Sequence, residues 1–140
     1  MADETRVAIG SNLDIVTARQ QGRKLALELG FDGTEVTLVA AAISEVARNI
    51  VDHAKQGEIV LNQVRNGTKV GVLIIARDQG PGIADINQAM QYGFSTRKGL
   101  GVGLPGAKWL MDEFEIVSKV GKGTTITMKK WLRKYGANNA

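Results

Sequence analysis

The chain has 140 residues, of which 44% are hydrophobic and 23% charged, and its formal net charge is +4. This composition predicts one soluble domain over residues 1–140, because a single hydrophobic core typically occupies about 100–150 residues. The absence of cysteine excludes disulfides, thiolate metal sites and cysteine nucleophiles, and a single histidine argues against a histidine-rich metal site.

Neither nucleic acid nor a membrane is expected as a partner. The basic residues are scattered along the chain and only 5% of residues are aromatic, so platforms for stacking bases are scarce. No apolar run approaches the about 20 residues that span a bilayer, and residues 1–4 lack the basic start of a signal peptide. We therefore predict a cytoplasmic protein whose positive charge suits a nucleotide or an acidic partner.

The first part of the chain predicts a short strand and two helices. Residues 6–9 have the pattern of a strand, and Ser11 with Asp14 suggests a capping box for a helix that ends at Gly30. Asp32 or Thr34 can cap the second helix. The apolar residues of this second helix recur at helical spacing: Val36, Val39, Ala40, Ile43, Val46, Ala47, Ile50, Val51 and Ala54.

The rest of the chain predicts two hairpins around a glycine-rich loop at 78–103. The predicted elements are strands over 58–65 and 68–77, a short helix near 86–91, a helix over 104–112, and strands over 114–120 and 124–131. We predict an α+β fold, a two-layer sandwich with helices on one face of a mainly antiparallel mixed sheet. The basic stretch 129–134 is interpreted as a partner contact or as an edge strand protected by its lysines.

Glu45 and Asn49 are the first candidate site residues. They lie four residues apart on the second predicted helix and therefore share one of its faces. A carboxylate and an amide oxygen can hold magnesium, and a carboxylate can also take a proton from a hydroxyl group. The spacing is common, however, and by itself it also describes an ordinary solvated pair.

Residues 77–83, Arg-Asp-Gln-Gly-Pro-Gly-Ile, end an apolar strand with an acid and two glycines. Asp78 is placed to accept a hydrogen bond from an exocyclic amine, while Gly80 and Gly82 leave room for a flat ring. Taken alone, the motif is equally compatible with a turn at the end of a strand.

Glycines alternate from Gly99 to Gly103 and lead into a predicted helix, whose free backbone amides can bind phosphate. Arg97 and Lys98 precede them and can add positive charge. The letters G-x-G-x-x-G at 101–106 follow a polar loop instead of a strand, which excludes a Rossmann fold. The P-loop pattern and the H-R-D and D-F-G kinase motifs are absent, so those mechanisms are excluded as well.

The last predicted hairpin turns at 121–123 and continues with Thr124 and Thr125. Threonine favours strands, so an ordinary hairpin explains this segment on its own. Either threonine could still contact a bound base.

In chain order, these four segments resemble the N, G1, G2 and G3 boxes of the GHKL ATPase superfamily, which has a Bergerat-type fold. The segments are 45–49, 78–82, 99–104 and 121–125, and the resemblance covers almost the whole chain. The short length, and Gly-Leu-Pro-Gly followed by Lys-x-Leu-Met-Asp-Glu-Phe in residues 103–114, are similar to the RsbT-type switch-protein serine/threonine kinases.

The resemblance implies ATP and Mg²⁺ as cofactors and assigns roles to the residues of the boxes. Asn49 would contact Mg²⁺ and phosphate, Asp78 the adenine amine, and Glu45 would be the catalytic general base. The other residues implied to bind the nucleotide are Gly80, Gly82, Ile83, Arg97, Lys98, Gly99, Leu100, Gly101, Val102, Gly103, Leu104, Thr124 and Thr125.

The resemblance also implies a serine/threonine protein kinase of bacterial stress signalling. Its partners would be STAS-domain scaffold and antagonist proteins of a stressosome and a PP2C-type phosphatase. Two alternatives remain open: an RsbW-type anti-sigma factor kinase, and a nucleotide-gated protein-binding module without significant catalysis. Glu45 and Asn49 argue against the second, because a pure binding module needs no general base.

Overall fold

The computed structural model describes residues 4–91 and 103–133. Its elements confirm the predicted ones to within two residues, apart from the end of the second helix. In chain order they are β1 Thr5–Ile9, α1 Asn12–Leu29, α2 Gly33–Asn49, a π-helical turn Ile50–Ala54, β2 Gly57–Asn66, β3 Lys69–Asp78, α3 Ile86–Ala89, α4 Gly103–Leu110, β4 Glu113–Lys119 and β5 Gly123–Trp131.

The strands form one five-stranded sheet in the order β1-β2-β3-β5-β4. Each of its four pairings is antiparallel, which confirms the predicted α+β class with a mainly antiparallel sheet. The apolar strand β3 lies at the centre. Residues 129–131 of the basic stretch belong to β5, which lies between β3 and β4 in the sheet, so the interpretation of the stretch as an edge strand was wrong.

The hydrophobic core lies between one face of this sheet and the helices. Alternate strand residues supply the sheet side, including Ile59, Leu61, Val72, Ile74, Ile126 and Met128, and α2 supplies Val36, Val39, Ile43 and Val46. Burying each such side chain stabilises the fold by about 1.5–3 kcal/mol. Gly22 lets α1 approach α2 closely, since a Cβ at this position would collide with the side chain of Ile43. Within the described ranges, no helix is long and apolar enough to cross a membrane.

The helix boundaries follow from local capping. Asp14 accepts hydrogen bonds from the Gly10 amide at 2.8 Å and the Ser11 hydroxyl at 3.3 Å, while Ser11 itself makes no side-chain cap bond. Gly30 ends α1 with a φ of 99°, a left-handed conformation that glycine adopts without steric cost. Asp32 caps α2 by accepting from the Glu35 amide at 2.8 Å.

The apolar periodicity of the second helix predicted a regular α-helix as far as Ala54. The structure differs, because the α-helix ends at Asn49. It changes at Asn49 into the π-helical turn, in which the Lys55 amide donates to the Ile50 carbonyl at 2.8 Å. The extra residue in this turn keeps Ile50 buried and brings Ala54 against Gly80. Single π-turns within helices are frequent at functional sites.

Candidate active site

Four residues form a row across one end of the sheet. Gly57 pairs with Asp78, Asp78 with Thr124, and Thr124 with Ser118, so the row crosses β2, β3, β5 and β4. The residues two positions further along each strand belong to the core, so side chains in the row lie on the same face as the helices. The row therefore forms the floor of a site at the edge of the core.

Asp78 is the one carboxylate in this row. Its side chain is half-buried, and its Oδ1 accepts a hydrogen bond from the Gly80 amide at 2.8 Å. Within 4–91 and 103–133 it makes no ion pair. A carboxylate held through one oxygen can accept a further hydrogen bond from a ligand amine through the other.

The two glycines that follow Asp78 are required by close packing. A Cβ at Gly80 would lie 2.5 Å from the Cβ of Ala54 in the π-helical turn. Gly82 has a φ of 79°, and a Cβ there would collide with the Lys119 carbonyl. The neighbouring Pro81 carbonyl accepts a hydrogen bond from the Gly121 amide at 2.8 Å. The loop after β3 is therefore held between the end of α2 and the β4–β5 turn.

Ser118 joins this loop to the row, a role that its sequence did not predict. Its Oγ accepts from the Ile83 amide at 2.7 Å, donates to the Gly123 carbonyl at 3.1 Å, and lies 2.7 Å from the Thr124 hydroxyl. Ser118 belongs to an ordinary alternating strand and to none of the four segments. Gly57 was not predicted as a site residue either, because it too lies outside the four segments. Close packing requires a glycine here, since a Cβ would lie 2.6 Å from the Arg77 carbonyl.

Glu45 lies between α2 and the start of α4, and 13% of its side chain is exposed. Its Oε1 accepts a hydrogen bond from the Gly103 amide at 3.0 Å, and its Oε2 lies 3.4 Å from Nη1 of Arg48. The free amides and the dipole at the start of a helix favour a negatively charged group. Gly103 therefore presents an anion-binding amide, which in this structure faces a carboxylate.

Asn49 is the last residue of α2, one turn beyond Glu45 and half-buried. The part of the chain that the structure describes contains no cluster of three or more His, Cys, Asp or Glu side chains that could enclose a metal ion. Magnesium typically takes only one or two protein oxygens and completes its coordination with phosphate oxygens and water. The single amide oxygen of Asn49 fits that coordination if phosphate oxygens and water supply the other ligands.

Not every predicted residue joins this arrangement. Thr125 pairs with Arg77 and lies on the opposite face of the sheet from Thr124, so the structure does not bring it to the row. Leu104 has its side chain in the core, which leaves its backbone as the part that can contact a ligand. The remaining predicted contacts fall outside the described residues: Arg97, Lys98, Gly99, Leu100, Gly101 and Val102.

An open cavity of about 540 Å³ adjoins the Asp78 end of the row. Its lining residues are Ala54, Gln56, Gly57, Glu58, Arg77, Asp78 and Gln79. Glu58 and Arg77 form an ion pair at 3.0 Å on the sheet face away from the helices. The cavity therefore wraps around the end of the sheet and touches the site at Asp78, but it does not extend to Glu45.

Comparison with known proteins gives a consistent result. Residues 34–134 match the family described as histidine kinase-, DNA gyrase B-, and HSP90-like ATPase. The chain is 53% identical over 133 residues to serine/threonine-protein kinase RsbT of Bacillus subtilis (strain 168), which covers 95% of this chain and 100% of that protein. It is 36% identical over 104 residues to the anti-sigma F factor of Thermoanaerobacter sp. (strain X514), which covers 70% of this chain and 71% of that protein.

The fold also matches a solved structure. The crystal structure of the RsbU and RsbW domains of Rv1364c from Mycobacterium tuberculosis aligns with a TM-score of 0.63 at 22% identity. The alignment covers 94% of this chain and 33% of the other, so this chain spans about a third of that protein. At this identity the match supports the fold alone. These comparisons confirm the similarity to RsbT-type kinases, and the chain belongs to the histidine kinase-, DNA gyrase B- and HSP90-like ATPase family.

Proposed function

We propose that this chain is an ATP-dependent serine/threonine protein kinase of the RsbT type. In this proposal it phosphorylates STAS-domain scaffold and antagonist proteins in bacterial stress signalling and then changes partners to activate a PP2C-type phosphatase. The full-length similarity to a protein named serine/threonine-protein kinase RsbT supports the activity. Since its phosphoryl donor would be ATP, we expect the protein to act in the cytoplasm.

The observation that carries the proposal is the hydrogen bond between the Glu45 carboxylate and the Gly103 amide. It brings a side chain able to accept a proton next to a backbone group able to bind phosphate. These are the two requirements of phosphoryl transfer to a hydroxyl group, in which positioning and charge stabilisation do most of the work. When nucleotide binds, a phosphate oxygen would replace Glu45 at Gly103 and release the carboxylate for the acceptor hydroxyl.

The other end of the site would hold the base. The second oxygen of Asp78 would accept a hydrogen bond from the adenine amine, and Gly80 and Gly82 would leave space for the ring. Thr124 and Ile83 would complete the base pocket beside Asp78. The packing supports this arrangement, because Glu45 lies on α2, and Gly80, which holds Asp78, packs against Ala54 at the end of the π-helical turn that follows α2.

In the transfer step, Glu45 takes the proton of the incoming serine or threonine hydroxyl. The hydroxyl oxygen of that serine or threonine then forms a bond to the γ-phosphorus. The bond from the γ-phosphorus to the β,γ-bridging oxygen breaks, and that oxygen leaves with ADP. Mg²⁺, held by Asn49 and the phosphates, would neutralise charge on the phosphate oxygens. Glu45 therefore orients and deprotonates the acceptor, and the amide of Gly103 stabilises negative charge on the phosphates.

The proposal is tested by incubating the purified protein with Mg·ATP and a STAS-domain antagonist protein, followed by mass spectrometry of the antagonist. We expect one serine or threonine to gain a phosphate, and the gain to disappear with Glu45→Gln. A Glu28→Gln variant, altered at an exposed position of α1, serves as the control and should phosphorylate normally. ATP binding without any phosphate transfer would instead favour the nucleotide-gated binding module.

An RsbW-type anti-sigma factor kinase is the second candidate. It is favoured by the 36% identity to proteins named anti-sigma F factor, although this similarity covers 70% of the chain against 95% for RsbT. The two functions differ in the partner that is bound. Stable binding of a sigma factor in the presence of nucleotide would support the anti-sigma role, and binding of a PP2C-type phosphatase with no sigma factor binding would support the RsbT-type role.

A further inference from the structure

Lys130 is a buried lysine outside the site described above. It lies on the helix-facing side of β5, next to the core residue Met128, and only 6% of it is exposed. Its Nζ donates a hydrogen bond to the carbonyl of Leu110 at 2.9 Å, and Leu110 is the last residue of α4. Lys130 therefore binds the C-terminal end of the helix whose first residue, Gly103, bonds to Glu45.

Glu35, in the first turn of α2, completes this contact. Its Oε1 lies 3.6 Å from Nζ of Lys130 and has no hydrogen-bond partner among residues 4–91 and 103–133. The ammonium group of Lys130 is therefore the group that balances the charge of this buried carboxylate oxygen. Removal of the ammonium group alone would leave Glu35 uncompensated, which is costly in the protein interior.

The two contacts hold α4 at both ends against the same neighbouring helix. Glu45 binds its first residue directly, and Glu35 reaches its last residue through Lys130. The two glutamates are ten residues apart on α2, about 15 Å along the axis at 1.5 Å per residue, and the eight residues of α4 span about 12 Å. Because α4 begins at Glu45 and ends toward Glu35, it runs antiparallel to α2 with each end tied to a carboxylate.

Burial of this charge is not explained by stability alone. A buried ion pair can often be replaced by apolar side chains of similar size with little loss of stability. Methionine at position 130 together with leucine at position 35 should therefore preserve the fold. What a lysine adds is a directional bond to one carbonyl, together with a positive charge at the helix end where the dipole favours it.

We propose that Lys130 is a positioning residue for the phosphates of the nucleotide. By fixing Leu110, it sets the position of α4 along its own axis and so aims the Gly103 amide at the phosphate site. This inference rests on the proposed function, since it assumes that Gly103 binds a phosphate. It predicts that loss of Lys130 weakens contacts to phosphate and leaves the base pocket at Asp78 intact, because Thr124, the pocket residue on β5, lies six residues from Lys130 toward the other end of the strand.

The test compares Lys130→Met, Lys130→Arg and a matched control, Lys129→Met. Lys129 is the adjacent residue of β5 on the opposite face, where it pairs with Glu113 at 3.7 Å. For each folded variant, the affinity for Mg·ATP is measured by calorimetry, the affinity for adenosine by ligand-observed NMR, and the melting temperature by calorimetry. Adenosine lacks phosphates and therefore reports on the base pocket alone.

We expect Lys130→Met to lower the affinity for Mg·ATP by about five- to tenfold and to change the affinity for adenosine by less than about twofold. Lys130→Arg should recover part of the loss, and Lys129→Met should behave as the unmodified protein. Unchanged ATP affinity in folded Lys130→Met would overturn the proposal. An equal loss of ATP and adenosine would overturn it too, since that result indicates general loosening of the fold.

If Lys130→Met does not fold, the double variant Glu35→Leu/Lys130→Met removes both charges together and leaves no unpaired buried carboxylate. It should bind adenosine normally and ATP about five- to tenfold more weakly. ATP affinity equal to that of the unmodified protein would overturn the proposal. Failure of the proposed function is recognised separately, because the unmodified protein would then bind no ATP or transfer no phosphate.

Discussion

The carboxylate of Glu45 accepts a hydrogen bond from the backbone amide of Gly103 at 3.0 Å, although the two residues are 58 positions apart in the chain. The bond joins the N box on α2 to the end of the G2 box at the start of α4. It also means that the residue proposed as general base and the amide proposed to bind phosphate are already adjacent.

Replacement of Glu45 by glutamine should separate catalysis from binding. The amide oxygen of glutamine can still accept the hydrogen bond from Gly103, but it cannot take a proton from the acceptor hydroxyl. We expect kcat for phosphoryl transfer to fall by about 10²–10⁴-fold, with ATP affinity within about threefold of the original. Turnover and ATP affinity are measured in parallel. A variant that transfers phosphate at the normal rate would exclude Glu45 as the base.

Asp78→Asn should weaken ATP binding while the loop keeps its conformation. The asparagine oxygen can accept from the Gly80 amide as Asp78 does, but a hydrogen bond to the charged group is lost, worth about 1.5–3 kcal/mol. This corresponds to a loss in ATP affinity of about 10- to 150-fold, measured by calorimetry. Glu115→Gln, on an exposed position of β4, is the control and should bind ATP normally. Equal affinities for the two variants would remove Asp78 from the base pocket.

Gly82 and Gly121 form a matched pair for testing how the loop is packed. Their φ angles are 79° and 80°, but a Cβ at Gly82 would collide with Lys119, whereas nothing lies within 4 Å of one at Gly121. Gly121→Ala should cost about 1–2 kcal/mol from its left-handed conformation alone. Gly82→Ala should cost more and lower the melting temperature further, by roughly 2–8 °C for each additional 1 kcal/mol. Equal melting temperatures would show that the contact with Lys119 is not tight.

Thr124 and Thr125 distinguish the two faces of β5. Each is replaced by valine, which keeps the side-chain volume and removes the hydroxyl group. Thr124→Val should lower the affinity for ATP by about three- to tenfold, because the Thr124 hydroxyl lies in the row beside Asp78, 2.7 Å from the Ser118 hydroxyl. Thr125→Val, on the opposite face, should leave ATP affinity unchanged. If Thr125→Val bound ATP more weakly than Thr124→Val, the assignment of the site to the helix-facing side of the sheet would be contradicted.

Much of the fold could be predicted because it depends on short-range patterns. The 3.6-residue apolar period of α2, the turn at Asn66-Gly67 and the glycine at the end of α1 each specify local backbone conformation. The apolar run in β3 agrees with its central place in the sheet, because both faces of a central strand can be covered. The π-helical turn after Asn49 was not predicted, since its apolar residues keep a helical period while their packing against β2 and β3 changes the hydrogen bonding.

The sequence by itself determined the order and the residue types of the four boxes. Each box can be identified in this way because it is a contiguous segment with its own local chemistry. Tertiary structure alone decided which of those residues meet. Strand order and register place Thr124 beside Asp78 and turn Thr125 away, bring Ser118 to the loop after β3, and bury Lys130 under α4. These contacts join residues far apart in the chain, so they depend on how whole elements pack against one another.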